Sequence, residues 1–314
     1  MQTILVQGAA GFVAHSLLPK LIDVGFKHLI LADLRPVPKE LIEHLQSHGA
    51  FVETYEGDSL TSSMMGSEPS VIISLAGSTD VDIALEQPKK AFEANLKIAV
   101  DLAEWLRLSR HQVRAIYISS DEVLGESYIP LPEEAPLRPT QPYAASKAAA
   151  EIVLNNYRDV YNLNVVTLRS CNLVGGKQRA RKLIPVTVKS LLSSQAIPIY
   201  GTGEHQREWM AVEDLCEAII LLLNQETPAG IYQAASGVHL SVNEVVAIVA
   251  KAIGQPVVKR MVKDRLVHDK SYAMITACLR TLGWNPKISP IGAIERAALE
   301  MTQTFALGEF DFIE

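Results

Sequence analysis

The sequence predicts an α/β fold built on one parallel, doubly wound sheet. Short β-branched or apolar runs alternate with amphipathic helical runs between residues 3 and 170, and the first such run ends in glycine directly before a helix. The chain has 314 residues, of which 48% are hydrophobic and 20% charged. It is therefore long and apolar enough to bury a large core.

Each element of the alternating part follows from its local pattern. Predicted strands are apolar or β-branched runs, and predicted helices carry apolar residues at intervals of three and four. The strands are expected at residues 3–8, 28–34, 50–58, 70–77, 113–120 and 164–170. The helices are expected at residues 14–25, 39–49, 88–109 and 142–162.

The pattern becomes less regular after about residue 175. Helices are still predicted at 212–224, 241–254 and 287–305, with a short strand and turn at 197–203. We therefore expect a larger domain over residues 1–172, which also receives the helix near 212–224. A smaller C-terminal α/β lobe over residues 173–314 is expected to be interleaved with it.

Charge and composition exclude several classes of function. The net charge of −6 argues against a protein that binds nucleic acid, and no apolar run has the length of a membrane span. The first residues lack the basic segment and cleavage site of a signal peptide. Cys171, Cys216 and Cys278 are widely spaced, which suits a reducing compartment and matches no zinc or disulfide pattern. We expect a cytoplasmic protein without a bound metal.

A glycine-rich turn follows the first strand. Gly8 and Gly11 let the backbone bend sharply and approach a pyrophosphate, and Ala14 completes a G-x-x-G-x-x-A spacing. Asp33 stands at the end of the second strand, where its carboxylate accepts hydrogen bonds from ribose hydroxyls and repels a 2′-phosphate. The combination predicts NAD rather than NADP, although Arg35 would weaken that preference.

A tyrosine and a lysine form the second motif. Tyr143 and Lys147 are four residues apart in a predicted helix, so they share one face. A tyrosine that acts as a base near neutral pH needs its pKa lowered from about 10 by roughly three units. We expect the Lys147 ammonium and a nicotinamide cation to lower it. Such pairs are common on helices, so the indication of catalysis comes from the preceding NAD fold and serine-rich strand end.

Six segments occur in order along the chain: GAAGFVA, YISSDEVLGE, PYAASKAAAE, LRSCNLVGG, YGTGEHQREWMAVEDLCEAI and HDKSYAMITACLRTLGW. Together they make the chain resemble the extended short-chain dehydrogenase/reductase superfamily, and within it the NAD-dependent sugar-nucleotide epimerases and dehydratases. The resemblance covers essentially the whole chain. It implies a Rossmann-type NAD-binding domain over residues 1–172 and a smaller lobe that binds a nucleotide-diphosphate sugar.

An acidic pair after the fifth strand refines the resemblance. Dehydratases of the dTDP-glucose 4,6-dehydratase type read Ser-Thr-Asp-Glu-Val there, and simple 4-epimerases usually lack the acids. This chain reads Ser119-Ser120-Asp121-Glu122-Val123. The resemblance implies that Tyr143, aided by Lys147 and hydrogen-bonded through Ser120, removes the C4 hydroxyl proton while NAD takes the C4 hydride.

The same resemblance assigns the elimination of water to the two acids. Glu122 would remove the C5 proton, Asp121 would protonate the departing C6 hydroxyl, and the hydride would return to C6. Adjacent carboxyls disfavour double ionisation, so we expect the pKa of one of them to rise and that group to serve as the acid. The predicted product is an NDP-4-keto-6-deoxyhexose.

The resemblance also implies two sets of binding residues. The expected NAD contacts are Gly8, Gly11, Phe12, Val13, Asp33, Leu34, Asp58, Ser59, Leu75, Ala76, Gly77, Asn95, Ser119, Tyr143 and Lys147. The expected substrate contacts are Ser78, Asn172, Lys182, Leu183, Arg207, Arg265 and His268.

The residues expected to face the sugar depart from the dehydratase pattern. Ser78, Asp80 and Ile83 stand where dTDP-glucose enzymes typically have glutamate, histidine and arginine. Val174 and Ala211 replace a typical tyrosine and histidine. The catalytic residues are kept while the rim differs, so the hexose and the nucleobase stay open.

Two other functions remain open. A 4-epimerase or decarboxylase of the same superfamily would also use NAD, but the pair of Asp121 and Glu122 argues against simple epimerisation. A non-catalytic NAD-binding protein would not need the intact Tyr143 and Lys147.

Relatives generally pair two long helices from each subunit, here those beginning near Pro88 and at Tyr143. We therefore expect a homodimer with no nucleic-acid or membrane partner.

Overall fold

The computed structural model describes residues 2–57, 68–224 and 226–306. The strands are β1 (Thr3–Gln7), β2 (His28–Asp33), β3 (Phe51–Glu56), β4 (Val71–Ser74), β5 (Arg114–Ser120), β6 (Val165–Ser170), β7 (Asn172–Val174), β8 (Ile197–Tyr200), β9 (Gln206–Ala211), β10 (Gly230–Ala234), β11 (His239–Ser241) and β12 (Lys259–Val262). The helices are α1 (Phe12–Asp23), α2 (Lys39–Ser47), α3 (Val81–Glu86), α4 (Pro88–Leu108), α5 (Pro142–Tyr161), α6 (Leu183–Leu192), α7 (Val212–Leu222), α8 (Val242–Ile253), α9 (Ala277–Thr281) and α10 (Pro290–Ala306).

The predicted α/β fold is confirmed. Seven strands form one sheet in the order β10-β6-β5-β4-β1-β2-β3, and every neighbouring pair is parallel. One apolar core lies between the sheet and α1, α2 and α7, and another lies between its opposite face and α4 and α5. β4 is buried along its whole length because both of its faces are covered.

The smaller lobe has its own core. β11, β9 and β7 form one small sheet, and β12 pairs with β8. Helices α6, α8 and α10 pack together over buried side chains that include Ile184, Val245 and Ile294. Among the helices in the described ranges, none combines the length and apolar character that a membrane crossing needs.

Segments from the second half of the chain complete the large sheet. Helix α7 packs against α1, where Nζ of Lys20 lies 2.5 Å from Oε1 of Glu217. Strand β10 pairs with the edge of β6, so residues 230–234 are part of the large sheet. The larger domain therefore receives this strand as well as the helix expected near 212–224. The division of the chain at residue 172 stays a prediction.

Short elements differ most from the sequence-based expectation. β4 ends at Ser74 rather than at residue 77, and α1 begins at Phe12 and continues through Pro19. The elements α3, β7 and β11 were not predicted, because three to six residues are too few to show a period. Helix α6 was also missed, since its sequence LIPVTVKSLL carries a proline and four β-branched residues.

A buried ion pair joins α5 to the sheet. Nη2 of Arg169, on β6, lies 2.9 Å from Oε2 of Glu151, on α5, and both side chains are almost fully buried. Nη1 of Arg169 also donates to the carbonyl oxygen of Glu133 at 3.0 Å. Separating the two charges would leave one of them without compensation in the core, so the pair fixes the position of α5.

We expect the substitution Glu151→Gln to lower the free energy of unfolding by about 3 kcal/mol, because it leaves the Arg169 charge buried without its partner. Urea denaturation measures the change. Glu43→Gln is the matched control, since its ion pair with Lys39 is exposed on α2 and should contribute almost nothing. Equal stability of the two variants would show that the buried pair does not hold α5.

Candidate active site

The glycine turn lies where the carboxyl end of β1 meets α1. Gly8 has a φ of +78°, and a Cβ there would lie 2.7 Å from the backbone nitrogen of Ala76. A Cβ on Gly11 would lie 2.9 Å from the carbonyl oxygen of Gly8. Among the described residues no side chain caps the N-terminus of α1, so its first N–H groups are available to bind an anion. The turn therefore fits the pyrophosphate of a dinucleotide.

Asp33 lies beside this turn at the end of β2. Its Oδ2 accepts a hydrogen bond from the backbone N–H of Ala10 at 3.0 Å, and Oδ1 accepts from the N–H of Arg35 at 3.1 Å. Each carboxylate oxygen has a further acceptor position. The carboxylate can therefore hold the turn and still accept hydrogen bonds from ribose hydroxyls.

The expected NAD contacts Leu75, Ala76 and Gly77 follow β4 and adjoin the glycine turn. Asn95, from α4, fixes the loop after them. Its Oδ1 accepts from the N–H of Ser78 at 2.8 Å, and its Nδ2 donates to the carbonyl oxygen of Ser78 at 3.1 Å. The amide of Asn95 therefore holds the backbone of the loop in place at Ser78.

The other expected NAD contacts occupy varied positions. Phe12 and Val13 are partly buried in the first turn of α1, whereas Leu34 is exposed just beyond β2. Ser119 is buried, and its hydroxyl has no hydrogen-bond partner in the described part of the chain. Two expected contacts lie outside the described residues, namely Asp58 and Ser59.

Lys147 lies one turn beyond Tyr143 on α5, and its ammonium is bound by β5. Nζ donates to Oη of Tyr117 at 2.7 Å and to the carbonyl oxygen of Ile118 at 2.6 Å. Burial lowers the pKa of Lys147 to about 7, and the charge of Glu151 opposes this change. The sequence analysis missed Tyr117. Its signal was its place two residues before Ser119, on the same face of β5.

The expected lowering of the Tyr143 pKa is not found. Burial raises the pKa of this hydroxyl above its usual value, and the charge of Glu122 adds to the rise. A hydrogen bond with Ser120 opposes it. The spacing of Tyr143 and Lys147 did predict a shared helix face, but it could not reveal how fully the phenol is removed from water.

Asp121 is buried at the end of β5, and its neighbour Glu122 is half-buried. The hydroxyl of Ser120 donates to Oδ1 of Asp121 at 3.0 Å, while Oδ2 has no hydrogen-bond partner among the described residues. Burial, and then the charge of Glu122, raise the pKa of Asp121 to about 8. The predicted rise of one carboxyl pKa is therefore found, and Asp121 is the protonated member near neutral pH.

Glu122 has a different environment from that of Asp121. Burial raises its pKa, but the charges of Arg207 and Lys182 and a hydrogen bond from Gln141 act in the opposite direction. Nε2 of Gln141 donates to Oε2 of Glu122 at 2.6 Å. The sequence analysis missed Gln141, although its place directly before Pro142 and the helix was a visible signal.

Cationic side chains of the smaller lobe reach the same region. Nζ of Lys182 donates to the carbonyl oxygen of Thr79 at 2.9 Å. Arg265 makes a two-pronged contact with Asp82, from Nε to Oδ1 at 2.7 Å and from Nη2 to Oδ2 at 3.0 Å. The guanidinium of Arg207 lies 4.8 Å from the ring centre of Tyr272. The positive charge of each of these three expected substrate contacts acts to lower the pKa of Glu122.

The remaining expected substrate contacts are more scattered. Asn172 begins β7 beside Trp209, and Leu183 begins α6 directly after Lys182. Nδ1 of His268 donates a hydrogen bond to Oδ1 of Asp264 at 2.6 Å. Burial lowers the pKa of His268 to about 4, so its imidazole is neutral at physiological pH.

His205, Asp264 and His268 are close enough together to suggest metal ligands. However, the two imidazole rings are stacked 3.7 Å apart with only 12° between their planes. The nitrogen lone pairs lie in the ring planes, so two stacked rings do not direct them at one ion. The cluster carries no argument for a metal site.

Comparisons with known proteins extend these observations. The model of the NAD dependent epimerase/dehydratase family matches residues 4–235. A low-salt glycan biosynthesis protein of Haloferax volcanii, Agl12, is 30% identical over 91% of this chain and 94% of its own length. A dTDP-glucose 4,6-dehydratase of Streptomyces antibioticus is 29% identical over 90% of this chain and 88% of its own.

One solved structure is similar to this chain over almost its whole length. The dTDP-glucose 4,6-dehydratase DesIV of Streptomyces venezuelae, crystallised with NAD, superposes with a TM-score of 0.90 at 28% identity, and 98% of each chain is covered. The glycine turn, the uncapped start of α1 and Asp33 fit the same dinucleotide in this chain. The chain uses NAD as its cofactor and belongs to the NAD-dependent epimerase/dehydratase family.

Proposed function

We propose that the protein is a nucleotide-sugar 4,6-dehydratase that converts an NDP-hexose into an NDP-4-keto-6-deoxyhexose. The observation that carries the proposal is the pair of adjacent carboxyls, Asp121 and Glu122, whose surroundings differ. Burial raises the pKa of Asp121 to about 8, and it also raises the pKa of Glu122, but there cations and an amide donor act against the rise. An elimination needs one acid and one base on the same sugar, and this pair supplies both.

Tyr143 is the proposed base for the C4 hydroxyl proton. The single hydroxyl hydrogen of Ser120 bonds to Oδ1 of Asp121 in this structure, and when it turns to Tyr143 it lowers the pKa of that residue. Bound NAD supplies the acceptor for the C4 hydride, the hydride returned to C6, and a positive ring that offsets the raised pKa of Tyr143. Lys147 is held against β5 by Tyr117, and its ammonium has a third N–H that bonds to none of the described residues and could serve the reacting groups.

The elimination uses the two acids after a ketone has formed at C4. The ketone acidifies the C5 proton, and Glu122 removes it. Asp121 gives its proton to the C6 hydroxyl, which leaves as water, so that a C5–C6 double bond remains. When the hydride returns to C6, Glu122 gives its proton back to C5, which completes the 4-keto-6-deoxy product. Asp121 suits this role because burial keeps its proton bound near neutral pH.

The diphosphate is proposed to bind the cations of the smaller lobe. Arg207 and Arg265 offer forked donors that match phosphate oxygens, and Lys182 adds a point charge. Their charges also lower the pKa of Glu122, which supports a diphosphate site next to the proposed elimination site. We assign Asn172, Leu183, Ser78 and His268 to the walls of the same pocket on the strength of the resemblance alone.

Incubation with NAD and a panel of nucleotide hexoses tests the proposal. A substrate carrying deuterium at C4 should lose one water, and its label should appear at C6 of the product. In an epimerase the label would remain at C4 and the mass would not change. Recovery of stereoisomers alone would contradict the dehydratase proposal, and absence of any reaction across the panel would favour a non-catalytic protein.

Asp121 should set an alkaline limit on dehydration near pH 8. The group donates a proton, so the rate is expected to fall as pH rises through its pKa of about 8. Lys147, with a pKa of about 7, could produce a second limb in the same range. The residual activity of Asp121→Asn should therefore be measured, and it should lack the limb near pH 8. An unchanged limb in that variant would assign it to another group.

The homodimer is also a proposal. Helices α4 and α5 pack on each other and expose Phe92, Ile152 and Val160, the last two with about 60% of their surface open. Exposed apolar side chains on adjacent helices suit a protein interface. Ile152→Glu should convert the dimer into monomers in light scattering, whereas Ile291→Glu, at an exposed apolar site on α10, should not. A parent protein that is already monomeric would refute the proposal.

A further inference from the structure

Gln141 makes two contacts that no sequence motif assigns. It is buried directly before α5, and its Oε1 accepts a hydrogen bond from the backbone N–H of Tyr143 at 2.7 Å. Its Nε2 donates to Oε2 of Glu122 at 2.6 Å. One amide therefore connects the start of the helix that carries Tyr143 with the carboxylate at the end of β5.

Glutamine is an unusual residue at this position. Serine, threonine, aspartate and asparagine are the preferred N-caps, since their short side chains reach the free N–H groups of the first turn. Tyr143 is the second residue of α5, and its N–H is one of those that an N-cap side chain ordinarily binds. Only a longer side chain can cap this helix and still reach Glu122.

We propose that Gln141 is a positioning residue, which orients the Glu122 carboxylate and keeps it ionised for removal of the C5 proton. This inference rests on the proposed dehydratase function. The direction of the amide supports it. A backbone N–H can only donate, so the end of Gln141 that faces Tyr143 is the oxygen. The end that faces Glu122 is then the NH₂ group, which donates best to an ionised carboxylate.

Other charged or titratable groups also face Glu122, and Gln141 acts together with them. They are Asp121 beside it, Tyr143 on α5, Lys182 at the start of α6, Arg207 on β9, Arg265 in the loop after β12 and Tyr272. Burial raises the pKa of Glu122, and the hydrogen bond from Gln141 lowers it. The cations attract Glu122 without fixing its direction, whereas Gln141 contacts one named oxygen.

Two substitutions separate the cap from the contact with Glu122. Gln141→Asn keeps a good N-cap but is one methylene too short to reach Glu122. Gln141→Glu keeps the length but presents an oxygen to the carboxylate. We expect the asparagine variant to eliminate water roughly tenfold to a hundredfold more slowly, since it loses a hydrogen bond to a charged group. The acid limb of its pH–rate profile should move upward by about one unit, because the base becomes easier to protonate. The glutamate variant should show a larger upward shift.

Isotope effects identify the affected step. With a C5-deuterated nucleotide hexose, the primary isotope effect on product formation should increase in Gln141→Asn, because proton removal at C5 becomes rate-limiting. With a C4-deuterated substrate the effect should decrease. In a Glu122→Gln background, Gln141→Asn should cause no further loss, since the contact it removes is already altered.

Three outcomes would overturn the inference: an unshifted acid limb, unchanged isotope effects, or additive losses in the double variant. A variant that has merely lost its fold is recognised by a lowered melting temperature and by loss of bound NAD, and Gln141→Glu then serves in its place. Failure of the dehydratase proposal is seen separately, because the parent enzyme would then form no keto sugar from any substrate.

Discussion

The chemistry of this site depends on the removal of charged groups from water. Burial raises the pKa of Asp121 to about 8 and lowers that of Lys147 to about 7, and in both cases it is the largest cause. The same effect raises the pKa of Tyr143. Burial therefore favours the neutral form of all three groups, and it brings the pKa values of Asp121 and Lys147 close to neutral pH. The fold must then supply a hydrogen-bond or ion-pair partner to each charge that remains, and these partners make up most of the site.

Those partners come from different parts of the chain. Strand β5 provides the carbonyl and phenol that bind Lys147, as well as the serine and acids at its end. Helix α5 brings Tyr143 and Lys147 together, and its buried ion pair with β6 keeps it in register with the sheet. The smaller lobe contributes cations to Glu122 but none of the proposed proton-transfer groups. The proposed recognition of the nucleotide and the proposed reaction on the sugar would thus be divided between the two halves of the molecule.

Much of this could be predicted from the sequence because it is local. The alternation of strands and helices, the glycine turn and the i, i+4 spacing of Tyr143 and Lys147 are all encoded within short stretches. The contacts of Tyr117 and Gln141 were not predicted, since they join residues 30 and 19 positions apart in sequence. The direction of the Tyr143 pKa was predicted wrongly, because a spacing carries no information about solvent. Short elements such as α3 were missed for lack of a period, although α3 holds Asp82, which binds Arg265.

The contact between Asp82 and Arg265 has a consequence for how tightly a nucleotide can bind. Two parallel hydrogen bonds already fix the guanidinium plane, while its Nη1 edge keeps donors that Asp82 does not use. The conformational entropy of this long side chain is therefore lost when the protein folds and does not have to be lost again when a phosphate arrives. The diphosphate that we propose as a ligand would therefore meet a rigid receptor, and more of its interaction energy would appear as affinity.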